Sequence, residues 1–160
     1  MKAAVLTVSD GVHEGTRDDR SGDLLAELLG AEGFDVERRV VPDDAPAISA
    51  AISDLARGAA VVLTTGGTGF TPRDVTPEAT ASVLDREAPG IAEAIRADAR
   101  QRTPHALLSR GMAGLRGPTV IVNLPGSTGG CRDGFAVLLP ALRHGVELAA
   151  GDPATEHRQT

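Results

Sequence analysis

The sequence has almost no lysine and few aromatic residues, and both shortages limit how it can bind a ligand. Lys2 is the only lysine among 160 residues, tryptophan and tyrosine are absent, and phenylalanine occurs three times. A P-loop of the form G-x-x-x-x-G-K-[ST] needs a lysine directly after its second glycine, so the chain contains none. A planar heterocycle that stacks on an aromatic ring would have to use Phe34, Phe70 or Phe135.

Cysteine and positive charge are also scarce, which excludes further classes of protein. The single cysteine, Cys131, excludes an internal disulfide and a zinc site built from cysteines. The formal net charge is −6, which argues against a nucleic-acid partner. The sequence has no apolar run of about 18 residues, and its first residues show no signal-peptide cleavage region. We therefore expect a cytoplasmic protein that binds neither nucleic acid nor a membrane.

Short apolar runs alternate with helical patterns, which predicts right-handed βαβ units and a mostly parallel sheet. With helices on both faces, the expected fold class is a three-layer α/β/α protein. Strands are predicted at 3–8, 35–41, 59–63 and 119–124, with an edge segment at 113–117. The first helix is predicted from an N-cap at Ser21 to about Glu32, and the second from a cap at Asp43 or Asp44 to about Leu55. Three more helices are predicted over 77–84, 91–102 and 132–148. Pro140 should kink or divide the last of them. We expect one domain over 1–150 and a disordered tail over 151–160.

A glycine-rich loop, Thr65-Gly66-Gly67-Thr68-Gly69, follows the third predicted strand. Three glycines within four positions permit φ > 0 and let a ligand approach the backbone closely. Successive N–H groups turned into one concavity bind phosphates. Thr76 is predicted to cap the next helix, with Pro77 as its first residue. The loop is therefore predicted to bind a phosphate-bearing ligand, and a tight turn is the alternative.

A second glycine-rich loop spans 125–130, after the strand at 119–124 and before helical sequence. In parallel α/β sheets, ligands bind beyond the carboxyl ends of the strands. Residues 9–10, 42–44, 65–74 and 125–131 all follow predicted strands, so the fold should bring them together. The second loop is interpreted as another anion site, and a simple turn is the alternative.

Two aspartates are candidate metal ligands. Asp74 follows Arg73 directly after the first glycine loop, where a carboxylate could hold a divalent cation beside a phosphate. Asp43 follows the second predicted strand, and its alternative role is a helix N-cap, which Asp44 could fill equally well.

Arginines and one serine are candidates for direct ligand contacts. Arg73, Arg110 and Arg132 could pair bidentately with ligand oxygens, and solvated surface residues are the alternative. Ser109 could donate a hydrogen bond to a ligand, although an ordinary turn serine explains it as well.

Residues 64–80, T-T-G-G-T-G-F-T-P-R-D-V-T-P-E-A-T, resemble the signature of the Mog/MoaB family of molybdenum cofactor biosynthesis proteins, the molybdopterin adenylyltransferases. The resemblance continues in order through 8–10, 19–22, 41–43, 109–110 and 123–127, and only the last ten residues fall outside it. It implies the same α/β fold and a homotrimer. It also implies transfer of AMP from ATP to molybdopterin with release of pyrophosphate, with Mg²⁺ as the cofactor.

The resemblance further implies a role for particular residues. Asp43 in V-P-D and Asp74 in R-D-V-T-P match the family's catalytic acids and would place Mg²⁺. The implied substrate-binding residues are Thr65, Gly66, Gly67, Thr68, Gly69, Arg73, Ser109, Arg110, Asn123, Pro125, Gly126 and Ser127. Many relatives read P-G-S-P-K where this chain has P-G-S-T-G at 125–129, so one lysine contact is missing here, and Arg132 could replace it.

Two other functions stay open at this point. A MoaB-like pterin-binding module would keep the fold without transferring AMP, and the altered second loop favours it, whereas the intact R-D-V-T-P favours the enzyme. A nucleotide pyrophosphatase resembling the competence-damage-inducible proteins, which share this domain, is the third possibility. The lack of a second domain in 160 residues counts against it.

Overall fold

The computed structural model describes residues 1–151, and within them six strands form one sheet. Three of its strand pairs are parallel and two are antiparallel, which confirms the mostly parallel sheet. The strands are β1 (Lys2–Val8), β2 (Asp35–Val41), β3 (Val61–Thr65), β4 (Arg86–Glu87), β5 (Ala113–Arg116) and β6 (Thr119–Leu124). Their order across the sheet is β2-β1-β3-β6-β5-β4.

Six α-helices and one 3₁₀ helix connect these strands within the same residues. The α-helices are α1 (Asp10–His13), α2 (Arg20–Ala31), α3 (Ala45–Leu55), α4 (Thr76–Ala81), α5 (Pro89–Arg100) and α6 (Thr128–Ala149), and the 3₁₀ helix is Pro104–Leu108. In the described part of the chain, none of them has the length and apolarity that a membrane span requires.

The helices form two layers, because alternate residues of each central strand point to opposite faces of the sheet. Ala3 and Val5 of β1 pack into a core with α2, α5 and α6, whereas Ala4 and Leu6 pack into a second core with α3 and α4. Val5 and Leu6 are both fully buried, and each such side chain contributes about 1.5–3 kcal/mol. The three-layer α/β/α architecture is therefore confirmed.

Several helix boundaries differ from the sequence-based expectation. Asp19, not Ser21, caps α2, because its carboxylate accepts the Gly22 N–H at 3.0 Å. The expected polar loop after β1 contains the short helix α1, capped by Ser9. The last helix begins four residues earlier than predicted, at Thr128, and Pro140 does not divide it.

Two expectations for the second half of the chain are also corrected. The predicted edge segment at 113–117 is an inner strand, because β4 pairs with it on its outer side. Thr76 is the first residue of α4 and not its N-cap, and Val75 at the cap makes no side-chain cap hydrogen bond. The predicted tail over 151–160 lies, apart from Gly151, outside the described residues.

The register of the sheet determines where a ligand can bind. Val8 pairs with Val41, Thr7 with Thr65, and Thr65 with Leu124. Strands β1, β2, β3 and β6 therefore end side by side, and the segments that follow them meet at one edge of the sheet.

Candidate active site

A cleft of about 620 Å³ lies where these four strands end. Both glycine loops and both predicted acidic residues line it, as does the segment that connects α1 to α2. The lining residues are Thr7, Val8, Ser9, Val12, Arg17, Asp18, Arg20, Ser21, Asp43, Thr65, Gly66, Gly67, Asp74, Gly126, Ser127 and Thr128. We call this space the first cleft.

The first glycine loop needs its glycines at two positions. Gly66 and Gly67 have φ values of 97° and 68°, as the sequence predicted. A Cβ at Gly66 would lie 2.3 Å from the Val8 carbonyl oxygen, and one at Gly67 would lie 2.3 Å from Thr76 Oγ1. Any side chain would therefore displace the loop from the end of β1 or from α4.

Thr76 and Arg110 fix the loop in place. The Thr76 hydroxyl donates to the Gly66 carbonyl at 2.9 Å, which explains why it does not cap α4. Arg110 Nε donates to the Gly69 carbonyl at 2.8 Å and its Nη2 to the Asp74 carbonyl at 2.7 Å, while Nη1 pairs with Glu78. Arg110 thus supports the loop internally, and its predicted contact with substrate stays a prediction.

The second glycine loop contacts the first. Thr65 Oγ1 lies 2.8 Å from the Pro125 carbonyl oxygen, and a Cβ at Gly126 would lie 3.4 Å from Gly66 Cα. Ser127 caps α6 by accepting the Gly130 N–H at 3.1 Å. The loop is shorter than the predicted range 125–130, because α6 already begins at Thr128. The first N–H groups of α6 are directed towards the same edge of the sheet.

Cys131 lies behind the second loop and is fully buried. Its thiol donates to the Pro125 carbonyl at 3.0 Å and lies 3.3 Å from Thr65 Oγ1. Burial raises the pKa of this thiol to about 11, so it stays protonated at neutral pH. Cys131 is therefore a packing residue.

Asp43 is not the N-cap of α3. Asp44 has that role, because its carboxylate accepts the Ala47 N–H at 2.9 Å. Asp43 instead lines the first cleft and exchanges hydrogen bonds with Asp10: each backbone N–H donates to the other carboxylate at 2.9 Å. Burial raises the pKa of Asp43, and the negative charges of Asp10 and Asp74 raise it further. Of the two roles considered, the structure excludes the cap.

Arg73 pairs with Asp10, a residue that the sequence placed only at a strand end. Arg73 Nε and Nη2 reach the Asp10 carboxylate at 3.0 and 2.8 Å. The hydrogen bond from the Asp43 N–H and the Arg73 guanidinium together lower the pKa of Asp10. Arg73 is about two-thirds exposed, so a ligand phosphate would compete with Asp10 for it.

Asp74 follows the first glycine loop in sequence and lines the first cleft. One of its carboxylate oxygens accepts the Thr71 N–H at 2.9 Å, and a Cβ at Gly69 would lie 2.9 Å from that same oxygen. The other oxygen makes no hydrogen bond within residues 1–151, which leaves it available to the cleft.

The carboxylates of Asp43 and Asp74 would suit a magnesium ion that a bound nucleotide helps to coordinate. Within residues 1–151, no group of three or more His, Cys, Asp or Glu side chains is placed to hold a metal. Mg²⁺ in nucleotide sites commonly takes one or two carboxylates and completes its shell with phosphate oxygens and water. Asp43 and Asp74 match that donor set. Burial and the charges of Asp10 and Asp74 raise the pKa of Asp43, and a cation beside it would act in the opposite direction.

A second cleft of about 480 Å³ adjoins the first. It lies between α5, the 3₁₀ helix and the start of α6, and Ser127 lines both clefts. The predicted site residues that line it are Thr68, Gly69, Ser109, Pro125 and Ser127, and Ile95 and Leu108 are among its apolar residues.

Four of the sequence candidates line neither cleft: Arg73, Arg110, Asn123 and Arg132. The Asn123 side chain is buried and donates to Thr64 and Thr80 at 2.9 and 3.0 Å, and its oxygen accepts the Met112 N–H. These contacts hold the side chain inside the protein, and its predicted contact with substrate stays a prediction. Arg132 is exposed and lines neither cleft, and its replacement of the missing lysine stays a prediction.

Comparison with known proteins agrees with this geometry. A family described as "Probable molybdopterin binding domain" matches residues 4–144. Gephyrin from Dictyostelium discoideum is 40% identical over 93% of this chain and 22% of its own length. Molybdopterin adenylyltransferase from Helicobacter pylori strain J99 is 33% identical over 92% of this chain and 87% of its own. The crystal structure of the molybdopterin biosynthesis enzyme MoaB from Thermus thermophilus matches with a TM-score of 0.88 and 44% identity, over 95% of this chain and 98% of that one.

The chain belongs to the Mog/MoaB family of molybdenum cofactor biosynthesis proteins, which confirms the resemblance seen in the sequence. It spans between 22% and 49% of the length of the first curated relatives that it matches.

Proposed function

We propose that this protein transfers AMP from Mg-ATP to the terminal phosphate of molybdopterin and releases pyrophosphate. One observation carries the proposal: two clefts meet at Ser127. A glycine loop and two aspartates line the first cleft, and apolar side chains line part of the second. A reaction that joins two phosphate-bearing molecules needs two such spaces with a shared border. Relatives named molybdopterin adenylyltransferase support the same reaction.

In this proposal ATP occupies the first cleft. Its volume of about 620 Å³ lies within the roughly 300–1,000 Å³ of small-molecule sites. The backbone N–H groups of Gly67 and Thr68 hold the phosphate that undergoes transfer, while the Gly66 N–H donates to the Leu124 carbonyl at 3.3 Å. Asp43 and Asp74 hold Mg²⁺, which would neutralise the triphosphate and stabilise the charge that develops as the bond breaks.

Molybdopterin occupies the second cleft in this proposal. The apolar wall of Ile95, Ala99 and Leu108 suits a flat heterocycle, and Ser109 supplies a polar group at its border. Its phosphate would reach the first cleft past Ser127 and the N-terminus of α6. An oxygen of that phosphate attacks the α-phosphorus of ATP, and the bond from this phosphorus to the pyrophosphate oxygen breaks. The protein mainly positions the two molecules and stabilises charge.

A pterin-binding module without AMP transfer is the second candidate. Two observations favour it: the lysine of P-G-S-P-K is absent, and Arg132 lines neither cleft. The module would use the second cleft and leave the carboxylates of the first cleft without a catalytic role.

The experiment that separates the two candidates follows the label of ATP carrying ³²P at the α-phosphate. With Mg²⁺ and molybdopterin present, the enzyme moves the label onto molybdopterin and releases one pyrophosphate for each transfer. Molybdopterin binding without label transfer at any Mg²⁺ concentration would support the module instead.

The homotrimer and the cytoplasmic location implied by the resemblance belong to the same proposal, and sedimentation velocity would test the trimer.

A further inference from the structure

Two arginines that the sequence did not single out as ligand contacts line the first cleft. Arg17 lies in the segment that connects α1 to α2, Arg20 is the first residue of α2, and both contribute to the cleft wall together with Asp18. Motif position had favoured Arg73, Arg110 and Arg132 for contacts with the ligand.

Within residues 1–151, the side chains of Arg17 and Arg20 have no protein partner, whereas those of Arg73 and Arg110 do. The guanidinium groups of Arg17 and Arg20 make no hydrogen bond or ion pair with the protein in this part of the chain. Arg73 is paired with Asp10, and Arg110 is bound to Gly69, Asp74 and Glu78. An arginine that faces a cleft without a protein partner keeps its hydrogen-bond donors for a ligand.

The backbone that carries the two arginines is held in place. The Gly11 carbonyl accepts the N–H groups of Thr16 and Arg17 at 2.9 and 3.1 Å, which folds the segment back onto α1. Asp19 accepts Thr7 Oγ1 at 2.9 Å and Arg38 Nη2 at 2.7 Å while it caps α2. Arg20 therefore begins a helix whose first turn is fixed beside the end of β1.

The charge balance of the cleft shows which ligand group needs these arginines. The chain carries a net charge of −6, and Asp43 and Asp74 also line the cleft, so a triphosphate would meet repulsion without nearby cations. Mg²⁺ beside the two aspartates would offset part of that charge. Arg17 and Arg20 are the two arginines that line this cleft, and together they outweigh the single carboxylate of Asp18.

We infer that Arg17 and Arg20 bind the β- and γ-phosphates of ATP and hold pyrophosphate as it leaves. This inference rests on the proposed function and extends it by a leaving-group subsite at the 17–20 segment. During transfer, the bond from the α-phosphorus to the bridging oxygen breaks, and its electron pair stays on that oxygen. Guanidinium groups next to the pyrophosphate stabilise the resulting negative charge and select a triphosphate over a monophosphate.

The test compares the affinity of ATP, AMP and inorganic pyrophosphate for five proteins by titration calorimetry with Mg²⁺ present. The proteins are the wild type, Arg17→Ala, Arg20→Ala, the double variant and the control Arg132→Ala, which removes an exposed arginine that lines neither cleft. Each cleft variant should lose about tenfold in affinity for ATP and pyrophosphate, because a charge-assisted contact is lost. The affinity for AMP and the melting temperature should match the wild type. Lysine at either position should restore part of the ATP affinity.

The outcomes separate this inference from the proposed function. Unchanged selectivity for ATP over AMP in the double variant would overturn the inference, whether or not the wild type transfers AMP. An equal loss of AMP and ATP affinity would also overturn it. Arginine-dependent selectivity in a wild type that transfers no AMP would keep the subsite and reject the enzyme. A wild type that binds neither ATP nor pyrophosphate would overturn both.

Discussion

Gly67 offers a quantitative test of the first glycine loop. Its φ is 68°, and the Cβ of an alanine there would lie 2.3 Å from Thr76 Oγ1 and 3.3 Å from Asp43 Oδ1. A non-glycine residue at positive φ costs about 1–2 kcal/mol. Displacing Thr76 also breaks its hydrogen bond to the Gly66 carbonyl, a loss of about 1 kcal/mol. Gly67→Ala should therefore lose about 2–3 kcal/mol of unfolding free energy.

Calorimetry and ligand titration measure the two consequences of this change. In a chain of this length, the lost free energy corresponds to a fall in melting temperature of roughly 5–10 °C. Affinity for Mg-ATP should fall by at least about tenfold below the temperature at which the variant unfolds, because the loop moves away from the phosphate.

Gly30→Ala is the matched control for Gly67→Ala. Gly30 lies on the exposed side of α2, and a Cβ there meets no atom within 4 Å. This control should gain about 0.5–1 kcal/mol in unfolding free energy and keep the ligand affinity of the wild type. If Gly67→Ala behaved like the control in both assays, our account of the loop would be refuted.

The remaining predictions concern the titratable groups of the site. Burial, Asp10 and Asp74 raise the pKa of Asp43, so its ionised form costs stability. This cost grows as pH rises from the unfolded-state pKa through the raised folded-state pKa. Without Mg²⁺ at pH 7, Asp43→Asn should therefore melt no lower than the wild type, and a clear fall in its melting temperature would contradict this. With Mg²⁺, the variant should lack any stabilisation that Mg²⁺ gives the wild type. Cys131, with a pKa of about 11, should resist iodoacetamide at pH 7.5 in the folded protein and react once urea unfolds it. Rapid alkylation of the folded protein would contradict its burial.

The strands and the glycine loops can be predicted from local sequence, because each has a local cause. The run of small and β-branched residues in β3 indicates a buried strand, and consecutive glycines indicate positive φ at Gly66 and Gly67. The two-residue strand β4 is too short to produce a pattern. The start of α6 escapes prediction because Thr128, Gly129 and Gly130 have low helix propensity, and the cap by Ser127 compensates for it.

Local sequence does not reveal which side chains at the site contact residues distant in the chain. Asp10 and Asp43 are 33 positions apart, and no local signal shows that they exchange hydrogen bonds. Asn123 lies near the carboxyl end of β6, where ligand residues often occur, yet its amide nitrogen donates to Thr64 and Thr80.

The arginines of the site escape sequence-based assignment for the same reason. Position in a motif favours Arg73 and Arg110, but only the folded chain shows that carboxylates and carbonyl groups already engage them. Arg17 and Arg20 have no such partners within residues 1–151, and only the packing of their segment against β1 and α1 places them in the cleft.

The most direct test of the central claim is the rate of pyrophosphate release by Asp74→Asn across a Mg²⁺ titration, with ATP and molybdopterin present. Asparagine keeps the shape of the side chain and an oxygen that can accept the Thr71 N–H, so the variant should fold normally and bind molybdopterin like the wild type. It removes the charge that we propose to place Mg²⁺, so the rate should fall by at least about 10²-fold. A rate equal to that of the wild type at every Mg²⁺ concentration would contradict a catalytic role for Asp74.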